Sequence, residues 1–194
     1  MVPVYDWCGN GDSRNGFGHN GAWIAPRNDA NGEHQRMTSN GERPLVCRGI
    51  RGATTAGSNT AEDILEATEE LVNALIHLND LESEDIASAI FTTTPDLTAW
   101  FPALAARTFG WTEVPMLCTH EMAVPGSLQK AVRVLVHVNT TRTPSEIRHV
   151  YLKGAKQLRP EWGVSDDELA AAISRTRRSY EPTDVASIPV TSPG

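Results

Sequence analysis

Between Val132 and Val138 every second residue is a valine, and Val132, Val134, Val136 and Val138 alternate with Arg133, Leu135 and His137. A two-residue period sends alternate side chains to opposite sides of an extended chain, so this stretch belongs in a sheet, with the valines on one face and Arg133 on the other. It needs partners. Residues 86–94 are β-branched and apolar without a breaker, and Pro95-Asp96 closes that strand. Residues 114–119 read as a third strand, followed by a tight loop at Val124-Pro125-Gly126-Ser127. Residues 148–152 read as a fifth, introduced by a turn at Thr143-Pro144-Ser145-Glu146. Residues 45–50 form a strand of about six residues, a usual length, with Cys47, Gly49 and Arg51 on one face and Val46, Arg48 and Ile50 on the other. Gly52 then lets the backbone turn.

Two segments carry the helical period instead. Ile64, Leu65, Leu71, Val72, Leu75, Ile76 and Leu78 recur at helical spacing, behind a cap offered by Asn59 with Glu62 or Thr60 with Asp63, and Asn79-Asp80 ends the run. Pro102 is tolerable in a first helical turn and costly inside one, so the second helix starts near Phe101 and runs to Phe109, with Gly110 as its C-cap. Strands alternating with two helices predict a single α/β (α+β) domain with a mixed sheet. Two covering helices leave one sheet face bare, and self-association is the expected cover.

The expected organisation is a disordered extension at residues 1–44, the folded domain at 45–162, and a helix with a disordered tail at 163–194. The extension is rich in Gly and Asn and has little apolar surface to offset its ordering entropy. Met37, just before the ordered pattern, is the expected natural start, which would make residues 1–36 dispensable. Past Pro160, Ser165 with Glu168 forms a capping box, Val164 and Leu169 stand at staple positions, and Arg175, Arg177 and Arg178 suit the negative end of a helix dipole.

A net charge of -7 disfavours a general nucleic-acid binder, whose affinity comes from clustered Lys and Arg. Any anionic ligand must be held by locally placed arginines. Cys8, Cys47 and Cys118 are too scattered for a disulfide framework. No apolar run approaches the roughly 18 residues of a membrane span, and the N-terminus lacks the apolar stretch of a signal peptide. A cytoplasmic protein is expected.

Arg51, Arg107, Arg133 and Arg159 all stand at strand ends or beside turns, with Cys118 and Glu121 at the end of a strand and Tyr151 on another. On its own octapeptide Arg51 reads as a surface charge. No Ser sits in a nucleophile elbow, no phosphate-binding glycine loop is present, and Cys118, His120, His137 and His149 lack a recognised metal-ligand spacing. Cys118 by itself reads as a small buried hydrophobe. Several arginines with one carboxylate fit a small hydroxylated dicarboxylate, because the planar guanidinium donates two parallel hydrogen bonds to a carboxylate.

Arg48-Gly49-Ile50-Arg51-Gly52-Ala53-Thr54-Thr55, Thr94-Pro95-Asp96-Leu97, Phe101-Pro102-Ala103, Val114-Pro115, Glu121-Met122, Pro125-Gly126-Ser127, 147–152 (Ile-Arg-His-Val-Tyr-Leu) and Leu158-Arg159-Pro160 resemble, in colinear order, the monofunctional AroH-class chorismate mutases. The resemblance implies a homotrimer packed as a pseudo-α/β barrel, with active sites in clefts between subunits. It also implies conversion of chorismate to prephenate on the shikimate route to phenylalanine and tyrosine, without a cofactor. Carried over, it places Arg51, Arg133 and Tyr151 around the enolpyruvyl side chain, with Arg133 reaching the ether oxygen. Glu121 and the Cys118 region meet the ring hydroxyl, Phe101 and Leu158 supply apolar wall, and Ala103 is a further substrate-binding residue. Arg107 and Arg159 bring positive charge to the mouth. Leu104, His120 and Ala123 depart from the residues common at those places. Two other readings keep the residues and change the role: another chorismate-using or Rid-like small-molecule enzyme, or a non-catalytic metabolite-binding trimer.

Overall fold

The computed structural model describes residues 41–175. The N-terminal extension with Met37, and the tail from residue 176, lie outside the described residues.

Five strands, β1 (Val46–Thr55), β2 (Ile86–Thr93), β3 (Met116–His120), β4 (Ala131–Thr140) and β5 (Val150–Tyr151), form one sheet in the order β3-β2-β4-β1-β5. The valine strand, β4, lies at its centre and runs antiparallel to both neighbours, while β1 with β5 and β2 with β3 are parallel. The expected mixed sheet is the one observed. Among the described residues three α-helices accompany it: α1 (Ala61–Asn79), α2 (Ala103–Arg107) and α3 (Asp166–Arg175). None of the described helices is long and apolar enough to cross a membrane.

Alternation decides which face each strand buries. Val134, Val136 and Val138 join Ile50, Phe91 and Val150 against Leu71, Val72 and Leu75 of α1 in one core, with α2 and Trp111 extending it. Each of these fully buried side chains contributes about 1.5–3 kcal/mol of transfer free energy. Thr60 starts α1, its side chain accepting the Asp63 backbone N–H, and Asp80 ends it in the left-handed conformation. Ser165 likewise accepts the Glu168 N–H at the start of α3. Val164 and Leu169 pack on the core, and Ala172 is buried too.

The structure corrects three sequence expectations. β1 does not stop at Ile50 or turn at Gly52 but runs on to Thr55. Gly52 serves close approach instead: a Cβ there would lie 3.0 Å from Leu75 Cδ1 and Val134 Cγ1 and 3.1 Å from Leu71 Cδ1. The expected strand at residues 148–152 shrinks to Val150–Tyr151, because side chains take over the backbone groups before it. Asn79 accepts the Arg148 N–H at 2.8 Å and donates to the Arg148 carbonyl at 2.9 Å, and His149 Nδ1 accepts the Arg51 N–H at 3.1 Å. α2 spans Ala103–Arg107 rather than residues 101–109, since the hydroxyl of Thr108 bonds back to the Ala105 carbonyl and Gly110 takes positive φ just beyond.

The second sheet face is covered only in part. Leu128, Leu158 and Trp162 pack over Ala53, Tyr151 and Ala155 near the β5 edge. Toward β3 that face stays open, and Leu117 is 60% exposed.

Candidate active site

Strand register builds the site. Thr92 of β2, Arg133 of β4, Ala53 of β1 and Tyr151 of β5 stand in one row across four strands, on the face away from α1. Glu121 follows the end of β3 and is tied to the sheet by its N–H, which donates to the Thr93 carbonyl at 2.9 Å. Its carboxylate reaches over β2, accepting the Thr92 hydroxyl at 2.6 Å and pairing with Arg133 Nη1 at 3.0 Å. Arg133 Nε is buried and has no hydrogen-bond partner among the described residues. An orphaned N–H on a charged group costs more than a neutral one, so this position calls for an oxygen acceptor.

About two strand spacings from Arg133, roughly 10 Å away, lies a second cluster. Arg51 and Arg159 flank Trp162, with guanidinium carbons 5.7 and 3.6 Å from its ring centroid. His149 and Tyr151 approach the same ring at 4.2 and 5.6 Å. Burial, then the charges of Arg51 and Arg159, hold the His149 pKa below its ordinary value. Neutral His149 accepts at Nδ1, so its proton sits on Nε2. Arg159 Nε is paired with Glu161 at 2.6 Å.

Arg133 and Glu121 thus meet directly, and Arg51, Tyr151, Leu158 and Arg159 gather at the β5 edge. Phe101, Ala103 and Arg107 belong to α2 and the turn before it, which pack beside β3 at the opposite edge. Phe101 is exposed and Arg107 projects into solvent. Cys118 alternates away from Glu121, and its side chain packs toward the core near Ala103. Burial pushes its thiol pKa up, against a smaller opposing effect of the Ala103 backbone N–H. What Cys118 turns toward the Glu121 face is its backbone. Of the departing residues, His120 pairs with the Thr93 hydroxyl on the helix side of the sheet, away from Arg133.

Nothing in the sequence alone marks Thr92, His149 and Trp162 as site residues. The period-two pattern of β2 assigns Thr92 a face but not the partner opposite it. Trp162 has a local signal in Pro160, which suits the first position of a helical turn and begins the turn that ends at Trp162.

A family model described as chorismate mutase type I matches residues 47–162. The chain belongs to the type I chorismate mutases. Within this family, a chorismate mutase AroH of Thermus thermophilus is 48% identical over 117 residues, covering 60% of this chain and 96% of the relative. A chorismate mutase AroH of Bacillus subtilis is 44% identical over 122 residues, covering 62% and 96%. The solved structure of a chorismate mutase from Clostridium thermocellum is 51% identical, with a TM-score of 0.56 over 57% of this chain and 98% of that one. As a type I chorismate mutase the protein is an isomerase. α3 lies beyond the matched residues.

Proposed function

We propose that this chorismate mutase rearranges chorismate to prephenate by holding the substrate in a reactive shape and stabilising its ether oxygen from Arg133. The reaction is a [3,3] shift within one molecule. The ether carbon-oxygen bond breaks as a carbon-carbon bond forms, and no proton, nucleophile or cofactor enters the balance. Binding the flexible enolpyruvyl arm over the ring removes orientational freedom before the barrier. The larger share comes from a donor already in place where charge develops.

The observation that carries this reading is the state of Arg133. Glu121 holds Nη1, Thr92 holds Glu121, and the buried Nε lacks an acceptor. A guanidinium fixed in this way gains most when negative charge grows on an oxygen beside it, which is differential binding of the transition state. Glu121 orients the ring hydroxyl, using lone pairs that its two present bonds leave open. Arg51 anchors the side-chain carboxylate beside Tyr151 and Leu158. Arg107 and Arg159 bring positive charge to the ring carboxylate, and Phe101 and Ala103 form wall. Cys118 contributes through its backbone.

The site is shared between copies. Phe101, Ala103 and Arg107 stand at one sheet edge and Arg51, Leu158 and Arg159 at the other, so a homotrimer that apposes unlike edges completes each cleft and covers the open sheet face. The free thiols of Cys47 and Cys118 suit a reducing cytoplasm.

Purified chain incubated with chorismate is expected to remove the diene absorbance and yield prephenate. Release of pyruvate instead would identify a lyase and overturn the rearrangement.

A further inference from the structure

The indole of Trp162 takes part in none of the chemistry above, yet four site residues converge on it. Arg159 lies 3.6 Å over its ring centroid, Arg51 5.7 Å away, and the His149 and Tyr151 rings at 4.2 and 5.6 Å. Two guanidinium groups meeting on one side chain need a reason, since like charges repel and each long arm has many rotamers to lose.

We propose that Trp162 is a positioning residue, an aromatic platform that holds the Arg159 and Arg51 guanidinium groups ready for the substrate's two carboxylates. This rests on the chorismate reading and names the device behind its carboxylate recognition.

Local structure sets the platform. Residues Pro160–Trp162 form a 3-10 turn, closed by the Trp162 N–H donating to the Arg159 carbonyl at 2.9 Å. Arg159 stands just before this turn, as its N-cap, and its guanidinium lies over the indole. The next residues lock the turn to the sheet: Gly163 bridges Tyr151, and the Val164 N–H donates to the Tyr151 carbonyl at 3.2 Å. Leu158, Leu128 and Ala155 belong to the same apolar cluster as Trp162 and Tyr151. An indole attracts a cation through its ring quadrupole and offers no acceptor that would compete with a ligand. Glu161 takes Nε of Arg159. Among the described residues the terminal nitrogens of Arg159, and the whole guanidinium of Arg51, donate to no acceptor, so their outer edges stay available for carboxylates. A carboxylate clamp there would act on parts of the substrate away from the breaking bond. It would therefore govern binding more than turnover.

The test uses the full chain and steady-state kinetics with chorismate. Trp162→Leu is expected to raise KM about three- to tenfold, the range of a lost cation–π contact, with kcat changed less than about twofold. Trp162→Phe keeps an aromatic face and is expected to recover most of the loss. A titration with prephenate supplies a readout independent of turnover: the indole emission of the wild-type chain should change on binding, and Trp162→Phe should lose most of that change. Unchanged KM in Trp162→Leu, equal impairment of the Leu and Phe variants, or an emission change that persists in Trp162→Phe would each overturn the platform. Should Trp162→Leu fail to fold by circular dichroism, the Trp162→Phe titration decides alone. A wild-type chain without chorismate turnover sinks the mutase reading instead.

Discussion

Arg133 and Lys carry the same charge, but only the guanidinium can keep Nη1 on Glu121 while turning Nε toward a second oxygen. Arg133→Lys should therefore lower kcat by about a hundred- to a thousandfold, the usual cost of one preorganised donor, with a much smaller change in KM. Near-normal kcat would remove the ether-oxygen role. His149 gives the residue scale a pH signature. Its folded pKa lies below the ordinary value of 6.5, so the unfolded chain binds its proton more readily than the folded one. The stability it contributes is fully present above about pH 6.5 and is lost as pH falls from there toward its lower folded pKa. Thermal melts from pH 7 down to pH 5 should show a falling midpoint, and His149→Gln should flatten the slope. Some slope should remain from His77, whose pKa burial also lowers, against an opposing effect of Asp80. Arg133 and Glu121 are candidates by residue type, since few side chains suit a carboxylate or a hydroxyl, and they do meet; Arg51 alone reads as a surface charge and becomes a candidate only through the family resemblance. Thr92 and His149 are not legible in either way, since each matters only through a neighbour nearly thirty or a hundred positions away that register brings beside it.

Elements show where local pattern suffices and where it does not. The alternating valines fixed β4, and the Thr60 and Ser165 caps fixed the starts of α1 and α3, because each depends on residues within one turn or one strand. The fifth strand is shorter than its sequence pattern suggests because Asn79, at the end of α1, satisfies the Arg148 peptide that a neighbouring strand would otherwise bond. Gly52 likewise suggests a turn from local sequence, whereas its place is set by Leu71 and Leu75, which a strand pattern does not display. Gly52→Ala tests this reading. The new methyl would press on three side-chain ends at 3.0–3.1 Å, so denaturant unfolding should show a loss of about 1–3 kcal/mol. No loss would mean that α1 and β1 have room to spare. α3 adds a layer outside the family match: it packs on α1 and pairs Glu168 with Arg148, beside the residue whose imidazole caps Arg51.

At the scale of the whole molecule, the sheet order separates the residues proposed to bind substrate. β3 and α2 carry Glu121, Phe101 and Arg107 toward one edge, whereas β1, β5 and the turns after it carry Arg51, Tyr151 and Arg159 toward the other. Arg133, on the central strand between them, pairs with Glu121 of the first set. Exposed Leu117, Met122 and Val124 lie at the β3 edge, where a second copy would shield them. A trimer should have three times the 21.1 kDa subunit mass by light scattering. The sharper test separates the two half-sites. Arg51→Ala and Arg107→Ala each disable one half, so either homotrimer alone should be impaired at every cleft. In trimers assembled from a mixture of both variants, a cleft that takes Arg51 from an Arg107→Ala subunit and Arg107 from an Arg51→Ala subunit is intact. Random assembly makes about a quarter of the clefts whole. Activity of the co-expressed mixture should rise toward that fraction of wild type, well above either variant alone. Activity no higher than the mean of the two variants would place each site within a single subunit.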